Sequence, residues 1–205
     1  MIILLAGQKG SGKSTLAINL AKRLLQAGIQ VGGLICPGIF TQGRKTGIKS
    51  FFPGTGHEDI IGEEIPGREG LLAGIPVPKP SGPDTFSYGR WEFRLSALAE
   101  ADTMIVHDTE IAQFVFVDEI GPLELDHGLG MSRTLARLDA DKTGNNCILL
   151  VCVRQDLAST LAERWPKSIL VELAQDKLSS IAKAEQVILD TVEHMASMIS
   201  ATGNT

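Results

Sequence analysis

Gly7-Gln8-Lys9-Gly10-Ser11-Gly12-Lys13-Ser14-Thr15 fits the pattern G-x-x-x-x-G-K-[ST] at every fixed position. Glycines let a backbone turn tightly and bring its N–H groups against an anion. A helix that starts at the end of such a loop aims its positive end and its free N–H groups at the same anion. In this pattern the lysine, here Lys13, reaches the β- and γ-phosphates of a nucleotide, and the hydroxyl of Ser14 is placed for Mg²⁺. Gly7, Gln8, Lys9, Gly10, Ser11, Gly12, Lys13, Ser14 and Thr15 are therefore the candidate nucleotide-binding residues.

The flanks have the context that this loop needs. Residues 2–6 are a short continuous apolar run, which suits a strand buried on both faces. After the loop, Leu16, Ala17, Leu20, Ala21 and Leu24 recur at helical spacing and stop at Gly28. Residues 29–36 read as a second strand. A strand, loop, helix and strand in this order build a parallel sheet.

Phe114-Val115-Phe116-Val117-Asp118-Glu119 supplies a second element. Its four apolar residues predict a buried strand whose C-terminal end lies near the loop, where parallel α/β sheets bind ligands. Asp118 is placed to hold Mg²⁺, and Glu119 to accept a proton from water attacking the γ-phosphate. The roughly 100 residues between the two motifs favour a sheet in which another strand lies between these two. Arg154, after the apolar run 147–153, is a candidate for stabilising charge on the transferred phosphoryl group. Lys13, Glu119 and Arg154 form the candidate catalytic set, and Ser14 and Asp118 the metal set. The guanine-selecting N-K-x-D pattern is absent.

Val117-Asp118-Glu119-Ile120-Gly121-Pro122-Leu123-Glu124-Leu125, taken with the loop, resembles the small nucleoside-triphosphatase family that includes the human cancer-related nucleoside triphosphatase. Weaker similarity covers Lys45-Thr46-Gly47, Tyr88-Gly89 and residues 165–173. The resemblance implies slow, Mg²⁺-dependent hydrolysis of ATP, GTP and other nucleoside triphosphates to diphosphates. It also implies a fold akin to the AAA and RecA-like P-loop proteins. The family roles carry over to Gly7, Gly12, Lys13, Ser14, Asp118 and Glu119. After its last strand the family has an Asn-Arg-Asp run at the base end of the site. Here the chain reads Ala174-Gln175-Asp176-Lys177-Leu178, a departure in the part that meets the base.

The expected architecture is α/β: a three-layer P-loop NTPase fold with a mainly parallel sheet, in the AAA/RecA-like branch, formed by one domain over residues 1–205. Residues 38–89 hold 11 of the 22 glycines and 6 of the 9 prolines. They predict a hairpin-bearing insertion, with β-like runs at 48–52 and 71–75 and an extended loop through Pro76, Pro78, Pro80 and Pro83. Helices are predicted over residues 91–104, 130–138 and 156–165, and strands over 147–153 and 168–173. A long C-terminal helix carries the stripe Ile181, Ile188, Val192, Met195 and Ile199, and residues 201–205 read as a frayed tail.

Composition narrows the classes. Charged residues make up 21% and apolar residues 43%, with a formal net charge of −5, which fits a globular chain without a basic track for nucleic acid. No segment reaches the ~18 apolar residues of a membrane span. The three cysteines, Cys36, Cys147 and Cys152, form no paired motif and read as buried hydrophobes in a cytoplasmic protein. A nucleoside triphosphate is the expected partner, with neither nucleic acid nor membrane, and any protein partner is left unnamed. Hydrolysis is the leading function. A kinase with an arginine-bearing lid (Arg133 and Arg137 are the candidates) and a nucleotide-dependent switch that uses the insertion as its partner surface are the alternatives.

Overall fold

The computed structural model describes residues 1–68, 76–140, 147–174 and 177–202. At its centre is a parallel sheet whose strand order runs 11-1-10-9-2. The strands are β1 (Ile2–Gly7), β2 (Val31–Leu34), β9 (Phe114–Ile120), β10 (Ile148–Arg154) and β11 (Ile169–Leu173). All but β11, at one edge, are buried along nearly their full length, as unbroken Val/Ile/Leu/Phe runs require of strands covered on both faces.

Alternation along β1 shows the layers. Ile3 and Leu5 pack with Leu16, Leu20 and Leu24 of α1 (Lys13–Gln26) and with Ile188 and Val192 of the C-terminal helix. Leu4 and Ala6 face the other way, into a core with Leu98, Ala101 and Ile105 of α2 (Leu95–Ile111), Leu135 of α4 (Ser132–Asp139) and Leu161 of α5 (Ala158–Arg164). Successive side chains of a strand point to opposite faces, so one short run joins two cores. The strand β10 lies between β1 and β9, the arrangement that the spacing of the two motifs favours.

Between Gly38 and Arg94 the described residues form an antiparallel sheet of six strands in the order 3-4-5-8-7-6. These are β3 (Gly38–Thr41), β4 (Arg44–Phe52), β5 (His57–Glu64), β6 (Lys79–Pro80), β7 (Thr85–Tyr88) and β8 (Trp91–Arg94). The run 48–52 lies in β4, and the run 71–75 lies outside the described residues. Pro80, expected in a loop, sits on β6 at the sheet edge, where a missing N–H breaks no ladder bond.

The helix expected over 91–104 is corrected by β8. Trp91 and Phe93 alternate as strand residues, and Phe93 stacks on Phe86 with ring centroids 5.6 Å apart. The helix begins only at Leu95, where Asp84 accepts hydrogen bonds from Ser96 N at 2.9 Å and from the Ser96 hydroxyl. The turn at Gly121-Pro122 opens a short helix, α3 (Pro122–His127). Proline suits this first helical position because its missing N–H would have no partner there. The C-terminal helix, α6 (Lys177–Thr202), buries Ala184, Ile188 and Val192 and packs Ile181 and Met195 beside them. Residues 201 and 202 of the expected frayed tail continue this helix, and residues 203–205 lie outside the described residues. Among the described residues no helix is long and apolar enough to cross a membrane.

A buried carboxylate helps join the helices on the α2 side. Asp102 of α2, 3% exposed, accepts from Arg133 N at 2.9 Å and from Thr134 N and Oγ1 at 2.8 and 2.7 Å. These otherwise unpaired N–H groups begin α4. Asp102→Ala leaves them buried without an acceptor and should lower stability by about 2–4 kcal/mol, read as a lower urea midpoint with an unchanged slope.

Candidate active site

Gly7 ends β1 and pairs in register with Arg154 of β10 and Leu173 of β11. The strand ends therefore bring the glycine loop, Arg154 and the end of β11 to one edge. A Cβ on Gly7 would stand 2.5 Å from Ser11 Oγ. Gly12, at φ 100°, takes a conformation that strains any residue with a Cβ, and a Cβ there would also meet Ile181 Cδ1 at 2.9 Å. The Lys13 ammonium is buried and donates to the carbonyls of Gly7 at 2.8 Å and Gln8 at 3.3 Å. Ser11 Oγ is buried without a hydrogen-bond partner. Gln8, Lys9, Gly10 and Thr15 are exposed, and Ser14 is half-buried at the helix start.

Asp118 lies near the end of β9 and is 3% exposed. Its Oδ2 accepts from Cys36 N at 3.0 Å, and its carboxylate is hydrogen-bonded by the side chains of Ser14 and Cys152. Burial raises its pKa, and the bonds from Cys36 and Ser14 together with the Lys13 charge oppose that rise. Glu119 follows across a cis peptide bond. Burial, then the neighbouring Asp118 charge, raises its pKa, while Lys13 and Arg154 lower it. Arg154 Nε stands 3.5 Å from Glu119 Oε1. Lys13, Asp118, Glu119 and Arg154 all line one cleft of about 360 Å³.

A family model and solved structures match this chain. A family model described as NTPase matches residues 2–174. The chain belongs to this NTPase family. It is 32% identical to the nucleoside-triphosphatase THEP1 of Thermofilum pendens over 139 residues, which cover 68% of each chain. It is 26% identical to that of Methanothermobacter thermautotrophicus over 165 residues, 80% of this chain and 82% of the other. The crystal structure of THEP1 from the hyperthermophile Aquifex aeolicus superposes with a TM-score of 0.63 at 20% identity, covering 94% of this chain and 99% of that one. The solution structure of a human cancer-related nucleoside triphosphatase gives the same TM-score, 0.63, at 17% identity over 92% and 96% of the two chains. These two structures share the α/β fold.

Other residues singled out in the sequence lie on this cleft or apart from it. Arg133 and Arg137 lie apart from the cleft, Arg133 on Thr103 and Arg137 on Glu110 at 3.2 Å. Trp165 is buried and donates to Asp139 at 3.0 Å. Trp91 is half-buried and lines the cleft, as do Lys45 and Tyr88 from the antiparallel sheet. Cys147 and Cys152 are buried, whereas Cys36 is half-buried at the cleft wall. Hydropathy along the chain carries no mark of Lys45 or Cys36 as site residues. Lys45 arrives on β4 and Cys36 just after β2, both remote in sequence from the carboxylate pair. A second hollow, also about 360 Å³, lies between residues 8–11 of the loop and residues 172–174 with Gln155.

Glu124 holds the turn that follows the carboxylate pair. One carboxylate oxygen accepts from Gly121 N at 2.9 Å and the other from Met131 N at 3.2 Å. Burial raises its pKa from 4.5 to about 7 against these two bonds. Between those pH values the folded protein keeps a proton that the unfolded chain releases, so this group costs stability as pH rises through the window. The stability of wild type relative to Glu124→Gln should fall, by at most about 3 kcal/mol, from pH 4.5 to 7. Denaturant titrations of the two proteins across that window measure the difference.

Proposed function

We propose that the chain hydrolyses nucleoside triphosphates, ATP and GTP among them, to diphosphate and phosphate. The observation that carries this reading is the meeting of Lys13, Asp118, Glu119 and Arg154 in one cleft beside the glycine loop. The loop N–H groups and Lys13 hold the β- and γ-phosphates, so Lys13 leaves the Gly7 and Gln8 carbonyls when the nucleotide arrives. Glu119 orients the attacking water and takes its proton. Its raised pKa makes it a better base than an exposed glutamate. Arg154, beside Glu119, faces the charge that develops on the transferred group.

The Ser14 hydroxyl and the Asp118 carboxylate lie within hydrogen-bond reach of each other, and the described residues hold no cluster of three or more His, Cys, Asp or Glu around one point. This sparse oxygen set fits Mg²⁺, which keeps several waters and takes phosphate oxygens as ligands. Ser14 and Asp118 would hold the ion, which when bound neutralises charge on the β- and γ-phosphates. The hollow beside residues 172–174 takes the ribose and base. Its wall at Ala174 differs from the family pattern, and we read the site as tolerant of different bases. The interposed β10 supports the AAA/RecA-like branch of P-loop folds, and the free cysteines fit a reducing, cytoplasmic setting. Arg133 and Arg137, held on α2, do not form a kinase lid over this cleft.

Glu119→Gln should keep nucleotide binding and lower phosphate release by at least about 100-fold. Arg154→Ala should lower kcat by about 10- to 100-fold with a smaller change in KM. A phosphate-release assay beside equilibrium binding of a fluorescent ATP analogue reads both. Turnover of the Glu119→Gln variant at the wild-type rate would remove Glu119 from its role. Chelation by EDTA should abolish release, and added Mg²⁺ should restore it.

A further inference from the structure

The antiparallel sheet sends a cation into the catalytic cleft. Lys45, on β4, lines it together with Lys13, Asp118, Glu119 and Arg154. Its charge is coupled to the carboxylate pair. Burial lowers the pKa of Lys45, and the nearby Cys36, Asp118 and Glu119 raise it. For Glu119 the balance runs the other way. Burial and the Asp118 charge raise its pKa, and Lys13, Arg154 and Lys45 lower it. These three cations come from three elements: Lys13 opens α1, Arg154 ends β10 and Lys45 lies on β4.

The half-buried Lys45 side chain is confined along its length. A Cβ on Gly38 of β3 would stand 2.9 Å from Lys45 Cε and 3.1 Å from Cδ, so glycine there leaves room for the stem. The ammonium lies 5.6 Å from the centroid of the Trp91 ring, within the range of a cation–π contact. The ring is itself held by Arg90, whose guanidinium carbon is 4.7 Å from the same centroid and which pairs with Glu64 at 3.2 Å. An exposed lysine keeps its rotamer freedom. Lys45 has lost much of it beside the carboxylate pair. Hydrolysis at this corner has a use for such a charge. As water attacks the γ-phosphorus, Glu119 takes the proton of the water. The bond to the oxygen bridging the β- and γ-phosphates breaks, and its electron pair leaves on the diphosphate. Charge is spread over the equatorial oxygens of the transferred group. The Glu119 carboxylate stands near that group and repels it, and a cation held beside both offsets the repulsion.

We propose that Lys45 is a further catalytic residue, whose ammonium donates a hydrogen bond to a γ-phosphoryl oxygen as charge develops there, and that Trp91 is its positioning residue. The proposal rests on the hydrolytic reading, which puts the γ-phosphate beside Glu119. Through Lys45 the antiparallel sheet takes part in the chemistry as well as walling the cleft.

Phosphate release with Mg²⁺ and calorimetric binding of ADP, alone and with aluminium fluoride as a mimic of the transferred group, test this on the full chain. Lys45→Met, which keeps the apolar stem, should lower kcat at least about 50-fold and shift KM for ATP by less than about threefold. It should weaken the ADP–aluminium fluoride complex by a similar factor and ADP alone by less than about threefold, as expected of a contact made in the transition state. Lys45→Arg, which keeps the charge, should stay within about tenfold of the wild-type rate. Trp91→Leu should lower kcat about fivefold in the wild-type background and less than about twofold in Lys45→Met, a dependence that a merely structural ring would not show. Wild-type turnover in Lys45→Met, equal weakening of ADP with and without fluoride, or a loss as large in Lys45→Arg as in Lys45→Met would overturn the proposal. A wild-type chain that releases no phosphate from any nucleoside triphosphate would count against hydrolysis. The fluoride complex would then still decide on Lys45, supporting its place beside the transferred group if Lys45→Met weakens it and overturning that place if not.

Discussion

Burying the Asp118 carboxylate ties the corner around the end of β9 together. A charge at 3% exposure is costly unless polar partners surround it, and each partner here comes from a different part of the chain. Cys36 N follows β2, Ser14 opens α1, and Cys152 lies on β10. Satisfying one carboxylate thus fixes the ends of two neighbouring strands and the start of α1 relative to β9. The Lys13 charge also lowers the cost of keeping Asp118 ionised. The same constraint sets Glu119, since the adjacent residue cannot move far while Asp118 is held.

The glycine loop meets this corner from the other side. Gly7 is at once the last residue of β1 and the in-register partner of Arg154 and Leu173. Parallel pairing lines up the carboxyl ends of the strands, so residues remote in sequence meet at one edge without any long loop to carry them. The glycine loop and Arg154, with the roles proposed for them, share this edge for that reason. Glu124 then secures the chain beyond Glu119 by accepting N–H groups on both sides of α3. That carboxylate is spent on backbone geometry, not on chemistry at the nucleotide.

The antiparallel sheet adds what a bare phosphate loop lacks. It walls the cleft opposite α3 and brings Lys45 and Trp91 toward the carboxylate pair. Its strands are rich in glycine, and at Gly62 a Cβ would stand 3.0 Å from the Phe93 ring, so small residues let the sheet and its aromatic partners pack closely. The described residues of a segment read as a hairpin-bearing insertion pair into a six-stranded sheet, because glycine and proline at edges and turns are compatible with pairing that only long-range partners complete.

Local chemistry wrote much of this fold into the chain. The glycine loop, the apolar runs of β1, β9 and β10 and the stripe of α6 are set by short-range sterics and by a period that a single element reveals. The pairing of Lys13 with a carboxylate pair follows from motifs that each stand alone. Tertiary structure decided the rest. Trp91 to Arg94 became a strand, although the pattern there suits a helix, because Phe93 finds Phe86 on β7. Gly121-Pro122 began a helix because Glu124 folds back onto Gly121 N. Cys36 reached Asp118, and Lys45 reached the cleft, by strand pairings between residues far apart in sequence. Such contacts depend on which strands become neighbours, and hydrophobic periodicity identifies a buried strand without naming its partner.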